Sequence, residues 1–235
     1  ERPFVGWRAA SLEFAPQLLA RTDADGTTLA EALREFGCEA GGIETAALDR
    51  DRYLGYLEAH IEQGPVLEHE DLALGVVEAI VGQTRAAVAF RGAAAHAGTV
   101  PMDLRHDALT AAAEWILEVE SIGRHTPGLV ATVGRLEVTP NATNVIPGEV
   151  ELRLDARHTD DATRETAVAA IWSCGEKIAA RRDVTFEVHW SQQQPAVQTD
   201  GAMTQLLVES LQQRQLPVRR MVSGAGHDAM IVAGR

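Results

Sequence analysis

"EVELRLD", residues 149–155, alternates Val150, Leu152 and Leu154 with Glu151, Arg153 and Asp155. Successive side chains of an extended chain point to opposite faces, so this stretch has one apolar and one polar face. It reads as a half-solvated antiparallel strand. Upstream, after Pro127-Gly128, "LVATVGRLEV" (Leu129 to Val138) forms a second strand. Before it, "MDLRHDALTAAAEWILEVESI" places Leu109, Ala112, Ile116 and Val119 on one helical stripe. Earlier still, "TRAAVAFRG" (Thr84 to Gly92) is strand-like. Downstream, Thr163 to Arg181 reads as a helix with Val168, Ile171, Trp172 and Ile178 facing inward, and "VTFEVHW" alternates Val184, Phe186, Val188 and Trp190 with polar residues. The order strand, helix, strand, strand, helix, strand is that of a ferredoxin-like α+β sandwich built on a split βαβ unit. We place this insert at residues 83–193.

Both flanks have a different rhythm. "DADGTTLAEALREF" (Asp23 to Phe36) has a turn signal, a Thr cap and apolar residues at Leu29, Ala32, Leu33 and Phe36, which predicts a helix. "YLEAHIEQ" (Tyr56 to Gln63) switches to period two, with Leu57, Ala59 and Ile61 opposite Glu58, His60 and Glu62. It is expected to be a strand stopped by Gly64-Pro65. After the insert, "QQQPAVQTDG" reads as a linker, "AMTQLLVESLQQRQL" as an amphipathic helix, and a short strand leads to "SGAGHDAM". The expected organisation is α/β, with residues 1–82 and 194–235 belonging to one larger domain that the insert interrupts. Ligands favour the cleft between such domains. The chain starts at "ERPFVGW" without Met and stops at "MIVAGR", so it reads as a segment of a longer protein.

Composition narrows the functional classes. With 235 residues, 46% hydrophobic and 23% charged, the chain can bury a large core. A net charge of -13 argues against nucleic acid and anionic membrane as partners, because both are held by clustered Lys and Arg. Cys38 and Cys174 lack metal-type spacing, which fits a reducing cytoplasm. No apolar run approaches the roughly 18 residues needed to span a bilayer.

Four stretches carry groups suited to chemistry. His60 shares the polar face of its expected strand with Glu58 and Glu62, whose carboxylates could orient the imidazole as a metal ligand; a packed or surface histidine is the plainer alternative. His96 in "RGAAAHAGTVPMDLRHDAL" stands among Ala95, Ala97 and Gly98, so its ring is approachable, and it could donate to an oxygen that gains charge during acyl transfer. Arg105 and His106 read as helix-surface residues. In "TPNATNVIPGEVELRLDARH", Asn144 precedes a Pro-Gly turn and Arg157 follows the strand, and both are expected to reach one edge of the insert. An amide with a guanidinium suits a ureido or carboxylate group. Finally, Gly224 and Gly226 in "SGAGHDAM" let backbone amides approach a ligand next to His227 and Asp228.

Taken in order, "HIEQGPVLE", "HAGTVPMDLRHDAL", "TNVIPGEVELRLDARH" and "SGAGHDAM" resemble the metal-dependent amidohydrolases that include allantoate amidohydrolase, N-carbamoyl-L-amino-acid hydrolase and β-ureidopropionase, within the superfamily of aminoacylases and carboxypeptidase-like metallopeptidases. The resemblance covers almost the whole chain. It implies a metallopeptidase-like catalytic domain interrupted by a ferredoxin-like lid that also dimerises. It implies hydrolysis of a ureido C-N bond in allantoate or an N-carbamoyl-L-amino acid, with two divalent ions, Mn²⁺ or Zn²⁺; an aminoacylase or dipeptidase activity and a non-catalytic homologue are the alternatives. By the same resemblance His60 ligates metal, Gln63 faces the substrate, and His96 can act across the subunit interface to polarise the scissile carbonyl. Asn144 and Arg157 hold the substrate, and Gly226 and His227 line the pocket. The family's first metal-binding histidine, bridging aspartate and glutamate pair belong upstream of "PFVGWRAA", and its last ligand belongs downstream of "AGHDAM". Glu1 lies too close to "VGWRA" to be assigned to that pair.

Overall fold

The computed structural model describes residues 5–11 and 14–233; Glu1 lies outside them. Along the chain run α1 (Val5–Ala10), α2 (Leu29–Glu35), α3 (Val66–His69), β1 (Val76–Ile80), β2 (Gly82–Arg91) and β3 (Ala95–His96). Next come α4 (Ala108–His125), β4 (Val130–Thr139), β5 (Val145–Ile146), β6 (Glu149–His158) and α5 (Asp161–Arg182). β7 (Thr185–Gln194), β8 (Val197–Gln198), α6 (Gly201–Gln213), β9 (Arg220–Ser223) and α7 (Ala229–Val232) complete the order, with short 3₁₀ turns between.

The chain divides into two compact units. One contains residues 76–198 and 219–224; the other contains residues 1–75, 199–218 and 225–235. The insert expected at 83–193 falls inside the first.

In that unit a four-stranded antiparallel sheet runs in the order β4-β6-β2-β7. With α4 between β2 and β4 and α5 between β6 and β7, this is the split βαβ topology. The pairing of β2 with β6 is unbroken from Gly82↔His158 to Arg91↔Glu149. It therefore puts Val88, Phe90, Val150, Leu152 and Leu154 on one face, where they pack against Trp115 of α4 and Ile171 of α5. Each large apolar side chain buried there contributes about 1.5–3 kcal/mol. Trp115 also donates its indole N–H to the Ile171 carbonyl at 3.0 Å, which satisfies the one polar atom of that side chain inside the core. The register of β4 against β6 slips between Val133 and Arg135, with Gly134 as the extra residue of a bulge.

Four helices start at a residue whose side chain caps them. Asp107, Asp160 and Asp200 accept backbone N–H groups at the starts of α4, α5 and α6, and Thr28 forms a reciprocal capping box with Glu31 at α2. A second sheet in the same unit runs β8-β1-β9, with β1 antiparallel to β8 and parallel to β9. β1 is a short apolar run, "VVEAI", with no alternation to mark it.

The other unit carries α1, α2, α3, α6 and α7. Here the expected strand at Tyr56 to Gln63 is not formed: among the described residues no strand pairs with 55–63. Leu57 and Ile61, the apolar half of the alternation, are 65% and 74% exposed. Alternation selects which face of a strand would be buried, but a strand also needs a neighbour to take its backbone hydrogen bonds. Among the described residues no helix is long and apolar enough to cross a membrane.

Candidate functional site

His60 lies on this unpaired extended segment with its ring exposed. Nδ1 sits 2.6 Å from the Ile61 carbonyl oxygen. A carbonyl can only accept, so Nδ1 carries the proton and Nε2 carries the lone pair, the form in which an imidazole binds a cation. The ring of His227 stacks on it, with centroids 4.0 Å apart and planes 22° from parallel. His227 is 7% exposed. Burial, followed by the neighbouring His60, pushes its pKa below the ordinary value, while Glu58 and Asp228 pull the other way. The shift favours the neutral form of the His227 ring.

Glu58 and Glu62 do not orient the His60 ring as their spacing suggested. Glu62 turns away and accepts the N–H groups of Val66 and Leu67, both at 2.8 Å, at the start of α3. Glu58 accepts the N–H of Ala229 at 3.0 Å, across 171 positions of sequence, and is also hydrogen-bonded by Tyr56. These carboxylates satisfy helix N-termini, where unpaired N–H groups and the helix dipole draw negative charge. Glu58 thereby ties the stretch bearing His227 to the stretch bearing His60. Gln63 is exposed and has φ 55, a left-handed conformation that costs a non-glycine residue about 1 kcal/mol. Gly226 is exposed.

In the other unit, β3 and β5 form a two-stranded ribbon with Ala95↔Ile146 and His96↔Val145 as partners. Ala97 N–H donates to the Asn144 carbonyl at 2.9 Å. The ribbon thus joins His96 to Asn144, which lie 48 positions apart by subtraction of their numbers. Gly98 N–H donates to His96 Nδ1 at 3.0 Å. An N–H can only donate, so Nδ1 is bare and Nε2 carries the proton. His96 and His60 are therefore held in opposite tautomers, one presenting a donor and the other a lone pair from the same ring atom.

Arg157 stands elsewhere. Its Nε and Nη2 donate to Asp155 at 2.6 and 2.9 Å, and Nη1 donates to the Gly224 carbonyl at 2.7 Å. Asp155 also accepts from Arg85 at 2.9 Å. Burial raises the Asp155 pKa, but hydrogen bonds from Arg157 and then Arg85 outweigh it and hold the carboxyl below its ordinary value. Asn144 and Arg157 do not share an edge as expected. β6 begins five residues after Asn144, and Arg157 lies eight residues beyond that start, which at roughly 3.3 Å per residue puts the two ends about 26 Å apart.

Among the described residues no three His, Cys, Asp or Glu side chains converge as a metal site. The described residues around His60 therefore supply no complete ligand set.

The chain thus combines an extended histidine-bearing segment in one unit with a split βαβ sandwich in the other, a two-unit α/β class of chain. Residues 27–235 match the description "Peptidase family M20/M25/M40". The chain belongs to that family. It is 36% identical over 231 residues to an N-carbamoyl-L-amino-acid amidohydrolase of Paenarthrobacter aurescens, covering 97% of this chain and 56% of that protein. It is 34% identical over 261 residues to an allantoate deiminase of Arabidopsis thaliana, covering 98% of this chain and 49% of that one. An amidase of the hydantoinase/carbamoylase family from Burkholderia multivorans superimposes with a TM-score of 0.83 at 36% identity, over 97% of this chain and 55% of that structure. The chain thus spans about half the length of the curated relatives it matches.

Proposed function

We propose that the protein containing this chain is a metal-dependent amidohydrolase that cleaves a ureido C-N bond of a small carboxylate substrate, allantoate or an N-carbamoyl-L-amino acid, releasing ammonia and carbon dioxide. The observation that carries the reading is the pair of opposed histidine tautomers, since this chemistry needs both a lone-pair nitrogen for a cation and an N–H donor for a developing oxyanion. The names of the relatives support the choice of a ureido group.

His60 Nε2 would hold one of two divalent ions, Mn²⁺ or Zn²⁺. When bound, such ions supply a water acidified to near neutrality and polarise the carbonyl. His227 backs the His60 ring and fixes its plane. His96 donates its Nε2 proton to the carbonyl oxygen as charge builds there. Asn144 stands beside it in the ribbon and offers an amide to the ureido group, and Gln63 and Gly226 face the substrate. Of the five N–H groups of Arg157, three are committed in the bonds above, and the remaining two suit the substrate carboxylate.

The spacing along β6 supports a composite site. β6 alone carries Arg157 about 26 Å from Glu149, the strand end that Asn144 precedes, more than a small substrate of one chain can span. A second copy would supply the His96 and Asn144 end while the first supplies Arg157, so the split βαβ unit would act as both lid and dimerisation element. β4 is an edge of its sheet, with Val130 and Leu136 62% and 42% exposed, which suits such pairing.

The test is a panel of allantoate, N-carbamoyl-L-amino acids and N-acyl amino acids given to the full-length protein loaded with Mn²⁺. Turnover of the ureido compounds is the expected result. Turnover of N-acyl substrates alone would assign an aminoacylase instead, and no turnover in the panel would favour a non-catalytic homologue.

A further inference from the structure

Arg105 reads in sequence as a helix-surface residue, yet it is half-buried and lies three residues before the first residue of α4. Its guanidinium turns back on the segment that carries His96. Nη2 donates to the Ala97 carbonyl at 2.6 Å and Nε donates to the Val100 carbonyl at 3.1 Å. Two prongs of one rigid fork therefore hold two carbonyls of the same turn, a geometry that the single-point ammonium of lysine cannot reproduce.

Apart from the Gly98 N–H bond to His96 Nδ1, the turn is closed on itself only by long bonds. Its own backbone bonds, from Thr99 and Val100 N–H to the His96 carbonyl, are 3.4 and 3.3 Å long, at or beyond the ordinary range. The Arg105 bond to Ala97 is shorter than either and is charge-assisted. Ala97 is also the residue whose N–H binds Asn144, and Gly98, next in the chain, is the residue whose N–H sets the His96 tautomer. The carbonyl that Arg105 grips belongs to the peptide unit shared by Ala97 and Gly98. Holding that carbonyl orients the Gly98 N–H on the opposite side of the same planar unit. Through one peptide plane, the guanidinium is connected to the hydrogen bond that keeps the His96 proton on Nε2. Gly98 leaves little slack: a Cβ there would meet His96 Cε1 at 3.2 Å.

We propose that Arg105 is a positioning residue that aligns the Ala97-Gly98 peptide so that His96 presents its Nε2 proton to the substrate oxygen, an inference that rests on the reading of His96 as that donor.

The experiment uses the full-length, Mn²⁺-loaded protein and its best substrate from the panel, with R105A and R105K made in the wild-type and H96A backgrounds. In the wild-type background R105A is expected to lower kcat roughly 10-fold to 100-fold with KM changed less than about 3-fold, below the roughly 10²–10³-fold loss typical of deleting an oxyanion donor outright. R105K, which can reach one carbonyl, is expected to recover part of the loss. In the H96A background R105A is expected to change kcat less than about 2-fold, because residues that act through one another are not additive. An R105A loss of equal size in both backgrounds would overturn the proposal in favour of general support of the fold, and so would an R105A enzyme with wild-type kcat. Full activity of H96A would overturn the reading of His96 and the proposal with it.

Spectroscopy covers the case in which a variant folds poorly or H96A is too slow to assay. In [¹⁵N]histidine-labelled protein the His96 signals, assigned by their loss in H96A, should show a bare Nδ1 in the wild type and a tautomer mixture in R105K. An unchanged Nδ1 shift in R105K would refute the alignment.

Discussion

The stack of His227 on His60 gives the most direct quantitative test of the proposed metal ligand. Replacing His227 by phenylalanine keeps an aromatic face against the His60 ring, whereas alanine removes it from a position that is 7% exposed. A well-placed aromatic pair contributes about 0.5–1.5 kcal/mol beyond its burial. If that energy holds His60 in the plane needed for coordination, its loss appears in metal affinity. The conversion of 1.4 kcal/mol per factor of ten gives a weakening of roughly 2-fold to 12-fold in the Mn²⁺ Kd of H227A, with H227F within about 2-fold of wild type. Competition with a fluorescent chelator on the full-length protein reads both values without any need for turnover. Two results would refute the reasoning. An unchanged Kd in H227A would mean that the stack does not orient the ligand, and a loss above roughly 100-fold in both variants would mean that His227 itself binds the ion.

Three further outcomes are expected. Mixing full-length H96A with R157A should restore about one quarter of wild-type activity, because half of a random dimer mixture is heterodimeric and each heterodimer keeps one intact composite site; no restoration would place both groups in a site within one chain. Gln63→Gly should relieve the left-handed strain at φ 55 and leave Tm equal or higher while raising KM, so a lowered Tm in a thermal melt would contradict the assignment of strain. The depressed pKa of Asp155 means that its stabilisation is complete above the ordinary value of 3.8 and is lost as pH falls through the folded-state value. D155N should therefore be less stable at neutral pH and show a shallower loss on acidification in denaturant titrations, and parallel acid limbs for the two proteins would remove Asp155 from the account.

Within the split βαβ unit, local pattern and tertiary fold agree. Val150, Leu152 and Leu154 alternate in sequence and all face the core, and Asp107 and Asp160 cap helices whose apolar stripes had marked them. A long strand buried on one face has to alternate, and a helix packed on it has to carry a stripe, so the order of elements can be read directly. The pattern misled at Tyr56 to Gln63, where alternation is present but no ladder forms among the described residues. β1 is a short apolar run with no period to distinguish strand from helix. The candidate site was legible as a set of residues and illegible as an arrangement. Nothing near Glu58 announces Ala229 as its partner, and nothing near Arg105 announces the carbonyls of Ala97 and Val100. The pairing of Arg157 with Asp155 could have been read from their i, i+2 spacing on one strand face.

The amino-acid order alone determined the periods, caps and turns, and so the succession of elements within the split βαβ unit and the identity of His60, His96, Asn144, Arg157 and His227 as groups worth weighing. Which nitrogen of each imidazole holds the proton was decided only in three dimensions, by the Ile61 carbonyl in one case and the Gly98 N–H in the other. The length of β6 likewise separated two residues that lie close in sequence. Periodicity is a property of neighbours along a chain, whereas a tautomer and a distance depend on which groups folding brings within reach.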